Sequence, residues 1–395
     1  MVTVQLGTVI LIYNVEKKFH LSLNNEDITI SVQNVNMPRI NNARKSVKDL
    51  KYINTHRKER ISNNLENDTI ECKKRQMNVA FLKVHKAGST TVQNMFLRFA
   101  KRNELNVILP RPFNYLGFDE TINMQNVYPP PKNENYNILC NHVIYNKAAF
   151  YKLMPRDTVF TAIVRNPITH ILSAAQFFHF YDDLRSILGN LTEQHLMSTF
   201  LQSPDICTKG QKKFISARMS LDFGIPKRNV AYPNEVLDHL KVLDSDFILV
   251  MVMEMFDESL ILLKRNLCWS LKDVVYVPLN ARHSKNSVVI VGKDLKNLKK
   301  YNQADFILYD FFKTKFVKRI NEQSDDFHEE VTHFKRTISQ IKHYCSENYR
   351  RKTIIIKASK WNEEFNISRE ECDFMSKHEL ILMYYLTMEH KRKLQ

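Results

Sequence analysis

Three observations predict an α/β fold in which a parallel sheet is covered by helices on both faces. Short apolar, β-branched runs recur at 79–84 (VAFLKV), 136–140 (YNILC), 157–164 (DTVFTAIV) and 247–253 (FILVMVM), each sized for a strand buried on both faces. Helical periodicity separates them, and strands alternating with helices build parallel sheets. The first run also passes through a turn of small and hydroxyl residues, HKAGSTT (85–91), into an amphipathic helix.

Taken in order, residues 1–76 read as an N-terminal lead-in or stem, and residues 77–395 as the main domain. Val4–Val15 is an apolar stretch about a dozen residues long, against the ~20 that a membrane helix needs, and no basic segment precedes it. Residues 16–76 are polar and rich in Asn, Lys and Arg. After the first strand, Val92, Met95, Phe96 and Phe99 mark one face of a helix that begins near Ser89 or Thr90. Asn106–Pro110 is a candidate short strand, and 111–135, with Pro129, Pro130 and Pro131, a long loop beside a substrate cleft. Lys147–Leu153 reads as a helix. The strand at 157–164 leads through Arg165-Asn166-Pro167 into a helix carrying Ile168, Ile171, Leu172 and Ala175. Helical segments fill much of 182–220, and further helices are expected at Asp257–Leu267, Ala304–Ile320 and Glu329–Glu347.

The turn at 85–91 has the makings of an anion site. A helix's first turn leaves backbone N–H groups unpaired at the positive end of the macrodipole. Lys86 adds a full charge, Ser89, Thr90 and Thr91 add hydroxyls, and Gly88 lets backbone approach an oxyanion. A Walker A loop places lysine after its last glycine; here lysine comes first, as K-x-G-S-T, which argues against an ATPase and for a phosphosulfate grip. Ligands of parallel sheets sit beyond the carboxyl ends of the strands. Lys86, His142 and Arg165 each follow a strand, so three polar groups converge there. Arg165 suits a phosphate because its guanidinium forks onto oxygens, and Ser173 follows eight residues later. The bland alternative makes Arg165 a surface residue and Ser173 a helix-packing one.

Lys plus Arg number 58 against 42 Asp plus Glu, a net charge of +16 that favours an anionic partner: nucleotide, nucleic acid, acidic glycan or membrane surface. The six cysteines are dispersed with no C-x-x-C, which argues against zinc and leaves open reduced thiols or secretory-pathway disulfides. Asn67, Asn190 and Asn366 head glycosylation sequons.

FLKVHKAGSTTVQNMFLRF resembles the 5′-phosphosulfate loop of sulfotransferases that use 3′-phosphoadenosine 5′-phosphosulfate (PAPS), and TAIVRNPITHILSAAQFF looks like their 3′-phosphate segment. The L-K-x-H-K form is similar, more narrowly, to the galactose 3-O-sulfotransferases, as are NILCNHVIYN, LVMVMEMFDESLILLKRNLCW, VPLNAR and ADFILYDFFKTKF. The resemblance covers about 77–320. Val84 stands where threonine is usual in that family.

The resemblance implies a P-loop-like PAPS-dependent sulfotransferase fold. It also implies transfer of sulfate to the 3-hydroxyl of terminal galactose on a glycolipid such as galactosylceramide or on a glycoprotein glycan. The topology implied is a type II, signal-anchored Golgi membrane glycoprotein with a luminal catalytic domain, although no complete anchor is seen. Lys86, Ala87, Gly88, Ser89, Thr90 and Thr91 would hold the 5′ end of PAPS, with Lys86 on the leaving oxygen; Arg165 and Ser173 would hold the 3′-phosphate. His142 is the preferred general base and His85 the second candidate, with Glu254 a third. No metal is expected. Rival readings are a sulfotransferase of another carbohydrate, a nucleotide kinase, which needs magnesium ligands, and a non-catalytic glycan-binding protein. No nucleic-acid partner is expected, since helix-core aromatics explain the aromatic–basic interleaving at 309–316 better than a nucleic-acid surface does.

Overall fold

The computed structural model describes residues 10–14, 17–24, 27–34 and 74–394, apart from 112–113, 118, 209, 278–287 and 347–351. Cys72, Asn67 and most of VPLNAR (277–282) lie outside the described residues. The chain divides into two compact units, 1–71 and 72–395.

In the first unit, β1 (Ile10–Asn14), β2 (Lys17–Asn24) and β3 (Asp27–Asn34) form an antiparallel sheet in that order. Two of these strands fall in the stretch read as a polar lead-in. The signal is a period-two alternation, Phe19, Leu21 and Leu23 against Ile28, Ile30 and Val32, with Asn24 pairing Asp27 at the hairpin.

The second unit is α/β, as expected. β4 (Val79–Leu82), β5 (Ile138–Leu139), β6 (Val159–Val164) and β7 (Phe247–Val252) make one parallel sheet in the order β5-β4-β6-β7. β4 therefore has its two successors on opposite sides, and the crevice beyond its carboxyl end is the switch point at which such sheets bind ligands. Every residue of β4 is fully buried, which is why its sequence lacks polar alternation.

Helix α1 (Ser89–Arg102) follows β4, α2 (Lys147–Phe150) follows β5, and α3 (Pro167–Phe177) follows β6. The β6–β7 crossover adds α4 (Phe180–Leu188), α5 (Glu193–Gln202), α6 (Arg218–Asp222) and α7 (Pro233–Asp246). Then come α8 (Phe256–Leu267), α9 (Leu271–Val274), α10 (Gly292–Tyr301), α11 (Gln303–Asn321) and α12 (Asp326–Ser346). Trp269 stacks on Phe99 with ring centroids 3.8 Å apart and so fastens α1 to the end of α8.

A hairpin of β8 (Thr353–Ile356) and β9 (Phe365–Ser368), then α13 (Arg369–Ser376) and α14 (Glu379–Leu394), complete the chain. A disulfide between Cys345 and Cys372 joins α12 to α13; Cys140 is a buried free thiol, and Cys207 is also buried.

The expected strand at 106–110 is reduced to isolated bridges, Val107 with Ile138 and Pro110 with Val127. A few backbone bonds persist there, such as Ile108 N–H to the Ile138 carbonyl at 2.8 Å, but the Asn106 N–H goes to Asn137 Oδ1 at 3.0 Å, and Pro110 has no N–H to give.

Candidate active site

The turn after β4 is held from beneath and from the side. Ser89 donates its hydroxyl to the Val84 carbonyl at 2.6 Å, closing the turn on the strand it leaves. Gly88 adopts φ +72°, and a Cβ there would lie 2.2 Å from Met253 Sδ. Glycine is thus needed both for the left-handed conformation and for the close approach of the β7 end. Lys86 also has a positive φ, 53°. Its ammonium lies 3.6 Å from the centroid of the Phe177 ring at the end of α3, within cation–π range.

The second sequence constellation meets the first. Arg165 Nη1 donates to the Lys86 carbonyl at 3.0 Å, and Arg165 Nε to Thr169 Oγ1 at 3.0 Å. His170, one turn into α3, contacts the His85 carbonyl through Nε2 at 2.9 Å. The start of α3 therefore supports the Lys86 turn through two backbone carbonyls, while Ser173 lies half-buried farther along the helix. Glu254 accepts the Asn166 N–H at 2.8 Å and the Tyr309 hydroxyl at 3.2 Å, so it pins the start of α3 from β7's end.

Of the hydroxyls proposed for the anion, Ser89 is committed to Val84, Thr91 is buried, and Thr90 donates to Glu379 Oε2 at 2.9 Å. Ala87 is fully buried. What the turn offers most directly is the N-terminal end of α1, whose first turn carries no acidic residue.

His85 and His142 stack with ring centroids 4.0 Å apart, but their nitrogens are used differently. His142 Nδ1 lies 2.9 Å from the Lys83 carbonyl, and its Nε2 lies 3.0 Å from Lys83 Nζ. The carbonyl fixes the proton on Nδ1, and the ammonium occupies the Nε2 lone pair. His85 Nδ1 lies 2.8 Å from Asp222 Oδ2, which also accepts the His85 N–H at 2.8 Å. Arg218 Nε approaches the same Nδ1 at 3.3 Å. The shorter carboxylate contact decides the tautomer, because a bare lone pair facing a carboxylate would be repelled; the proton sits on Nδ1. His85 Nε2 then carries the lone pair and is buried with no hydrogen-bond partner among the described residues. An orphaned buried polar atom calls for an explanation.

Both imidazoles are held neutral. Burial, then the charges of Arg218 and Lys83, push His85 well below the ordinary range near 6.5; burial, then His85 and Lys83, do the same for His142. Arg218 meets Asp222 Oδ1 at 2.7 Å and Asp119 at 2.5 Å, so the Asp222 carboxylate has a full countercharge. Tyr115, from the long loop, stacks on His142 at 5.2 Å. Asn114 is buried and accepts from Gln93 at 3.0 Å. Tyr128 lies elsewhere, under Lys391 of α14, 5.4 Å from ring to ammonium.

Lys83, Asp222, Arg218 and Glu379 were not singled out from sequence. Lys83 had a readable signal, a lysine inside the apolar run 79–84, and it sits just past the end of β4, 2% exposed. The others join the site from far along the chain. A cavity of about 410 Å³ opens beside the long loop, lined by Arg111, Met124, Pro130, Tyr136 and Lys152, and none of the residues above lines it. Among the described residues no group of three or more His, Cys, Asp or Glu side chains is placed to hold a metal ion.

The family model for galactose-3-O-sulfotransferase matches residues 7–361. Galactose-3-O-sulfotransferase 3 of Mus musculus is 32% identical over 252 residues, 62% of this chain and 58% of that protein. The galactosylceramide sulfotransferase of Homo sapiens is 29% identical over 256 residues, 63% and 59% of the two chains. Galactose-3-O-sulfotransferase 2 of Sus scrofa is 30% identical over 255 residues, 62% of each. The chain thus spans about three-fifths of the length of these curated relatives. With the sequence matched across most of its length, the chain belongs to the galactose-3-O-sulfotransferase family.

Proposed function

We propose that this protein transfers a sulfuryl group from PAPS to the 3-hydroxyl of a terminal galactose on a glycolipid or glycoprotein glycan, with His85 as the general base. The observation that carries the reading is the pairing of an Asp222-held imidazole, its buried Nε2 without a hydrogen-bond partner among the described residues, with a helix-terminal turn that carries Lys86.

Sulfuryl transfer is an in-line displacement, and the protein acts by positioning and by stabilising charge. His85 Nε2 takes the proton from the galactose hydroxyl as its oxygen bonds to sulfur. The bond from sulfur to the 5′-phosphate oxygen breaks, and Lys86 stabilises the charge left on adenosine 3′,5′-bisphosphate. Backbone N–H groups of 87–91 hold the 5′ end, with Ser89, Thr90 and Thr91 around them, and Arg165 and Ser173 hold the 3′-phosphate. His142 supports His85 by stacking; its lone pair would have to displace the Lys83 ammonium before accepting a proton. Asp222 fixes the His85 tautomer and stabilises the imidazolium.

The same reading places the protein in the Golgi lumen. Its support is the Cys345–Cys372 disulfide, since such bonds persist in oxidising compartments, with Asn190 and Asn366 exposed in their sequons. No helix among the described residues is long and apolar enough to cross a membrane.

The test is an acceptor screen with labelled PAPS on galactosylceramide, lactosylceramide and type 1, type 2 and core 1 disaccharides, followed by linkage analysis. Sulfate on the galactose 3-hydroxyl is expected. Product on the 6-hydroxyl, or on an amino sugar with galactosides ignored, overturns the acceptor assignment.

A further inference from the structure

Glu379, the first residue of α14, lies beyond the 7–361 stretch matched by the family and reaches the anion turn from the far end of the chain. One of its oxygens, Oε2, takes two contacts: Lys83 Nζ at 2.8 Å and Thr90 Oγ1 at 2.9 Å. Thr90 is the second residue of α1, in the turn read above as the donor grip.

A hydroxyl has one proton to donate. Thr90 cannot give it both to Glu379 and to a phosphate oxygen. Two anions at the positive end of one helix also repel. Lys83 is 2% exposed, and a buried ammonium needs an anion beside it. Any incoming phosphosulfate must therefore take the carboxylate's place on Thr90 and share or replace it at Lys83.

The rest of α14 is fixed. Leu382, Met383 and Leu386 are buried, and His390 contacts the Pro129 carbonyl at 2.7 Å through Nε2. Release thus falls to the Glu379 side chain and the first turn, where its side chain is 20% exposed.

We propose that Glu379 is a positioning residue that sets donor affinity: its carboxylate holds the anion's place on Thr90 and Lys83 in the unliganded enzyme, and donor binding displaces it. The proposal rests on the PAPS reading of the turn. A site competent in only a fraction of molecules binds with affinity reduced by that fraction. Glu379→Gln keeps the shape and a hydrogen-bond acceptor but removes the competing charge.

Calorimetric titration with adenosine 3′,5′-bisphosphate tests it. The Glu379→Gln protein should bind about tenfold tighter than wild type, the competing state being destabilised, and the KM for PAPS should fall while the acceptor KM stays. A merely structural link would leave the variant binding equally or more weakly, and that result overturns the proposal. Hydrogen exchange on the wild-type protein gives an independent reading. Amides at 380 and 381 should exchange faster with the bisphosphate bound; unchanged or slower exchange overturns the displacement. Wild-type protein that binds no bisphosphate at all would instead remove the donor reading itself, and the gate with it.

Discussion

Asp222 Oδ2 receives both the backbone N–H and the Nδ1 of His85, each at 2.8 Å. This double contact sets the ring's plane and tautomer together, and leaves Nε2 as the ring nitrogen with no hydrogen-bond partner among the described residues. Asp222→Asn would offer the ring a competing donor and blur the tautomer. Loss of a base typically costs about 10²–10⁴ in rate. His85→Ala should fall in that range in kcat, and Asp222→Asn nearly as far, with the KM for PAPS little changed. His142→Ala, by contrast, should lose less, since its lone pair is taken by Lys83. Initial-rate kinetics on the three variants check this; a His142 variant deader than the His85 one would reverse the assignment.

Lys86→Ala should cut kcat by about 10²–10³, the usual cost of one charge-stabilising donor. Arg165→Ala is expected to do more than weaken the donor, because Arg165 also holds the Lys86 carbonyl. Its signature is a raised PAPS KM together with a lowered kcat. Wild-type kinetics in both variants would show the donor site to be misplaced.

The pH behaviour follows from three buried imidazoles. Burial, foremost, lowers His85 and His142 well below 6.5 and His170 to about 4. For groups depressed in the folded state, the unfolded chain binds more protons between the two pKa values, so stability is present above 6.5 and drains away as pH falls toward 4. Glu379 adds loss in the same direction: burial would raise its carboxyl, but the charge and hydrogen bond of Lys83 together with the neighbouring histidines outweigh burial and hold it low. Melting temperature should hold above neutrality and drop steadily through mildly acid pH. The acid limb of kcat/KM should likewise lie below the ordinary imidazole range. A flat melting profile from pH 7.5 to about 4.5, the span where ordinary histidines titrate, would contradict the burial assigned here.

The sheet and its anion turn were legible because their signals are local. Val79–Leu82, Val159–Val164 and Phe247–Val252 are continuous apolar runs, and the Lys86 turn joins strand to helix within a few residues. The proposed base was not legible in the same way. His85 and His142 both follow strands, and what separates them is an aspartate 137 residues away from His85 and a lysine that takes the other ring's lone pair. Glu379 stands 289 residues from Thr90, beyond the reach of any motif. The strands at 17–24 and 27–34 were overlooked because Lys and Asn dominated the composition while the alternating Phe, Leu, Ile and Val carried the pattern.

Gly88 offers a mutation that separates backbone strain from packing. An alanine there must hold a left-handed φ, costing about 1 kcal/mol, and must move the Met253 thioether, which flexes readily. Gly88→Ala should weaken adenosine 3′,5′-bisphosphate binding severalfold with a fall of a few degrees in melting temperature. Adding Met253→Ala should relieve the contact and leave the strain, so only part of the affinity returns. Full recovery would mean that φ is unimportant.

The Cys345–Cys372 bond encloses the β8–β9 hairpin in a loop with a sequence separation of 27 and delivers α13 and α14 to the site. A cross-link of that length is worth about 3 kcal/mol through restriction of the unfolded chain. Cys268 is also disulfide-bonded, so reductant alone would confound the two. The double variant Cys345→Ser/Cys372→Ser isolates this bond. It should melt about 5–10 °C lower, given the usual few degrees per kcal/mol for chains of this size. Because Asn94 donates to the Phe374 carbonyl at 3.0 Å, the loss should reach α1, on which the anion turn rests. Bisphosphate affinity should therefore change along with stability, and in the pattern of a disturbed Glu379, whereas His85-dependent kcat at saturating donor should survive. An unchanged melting temperature with unchanged affinity would show that α13 and α14 are held by packing alone.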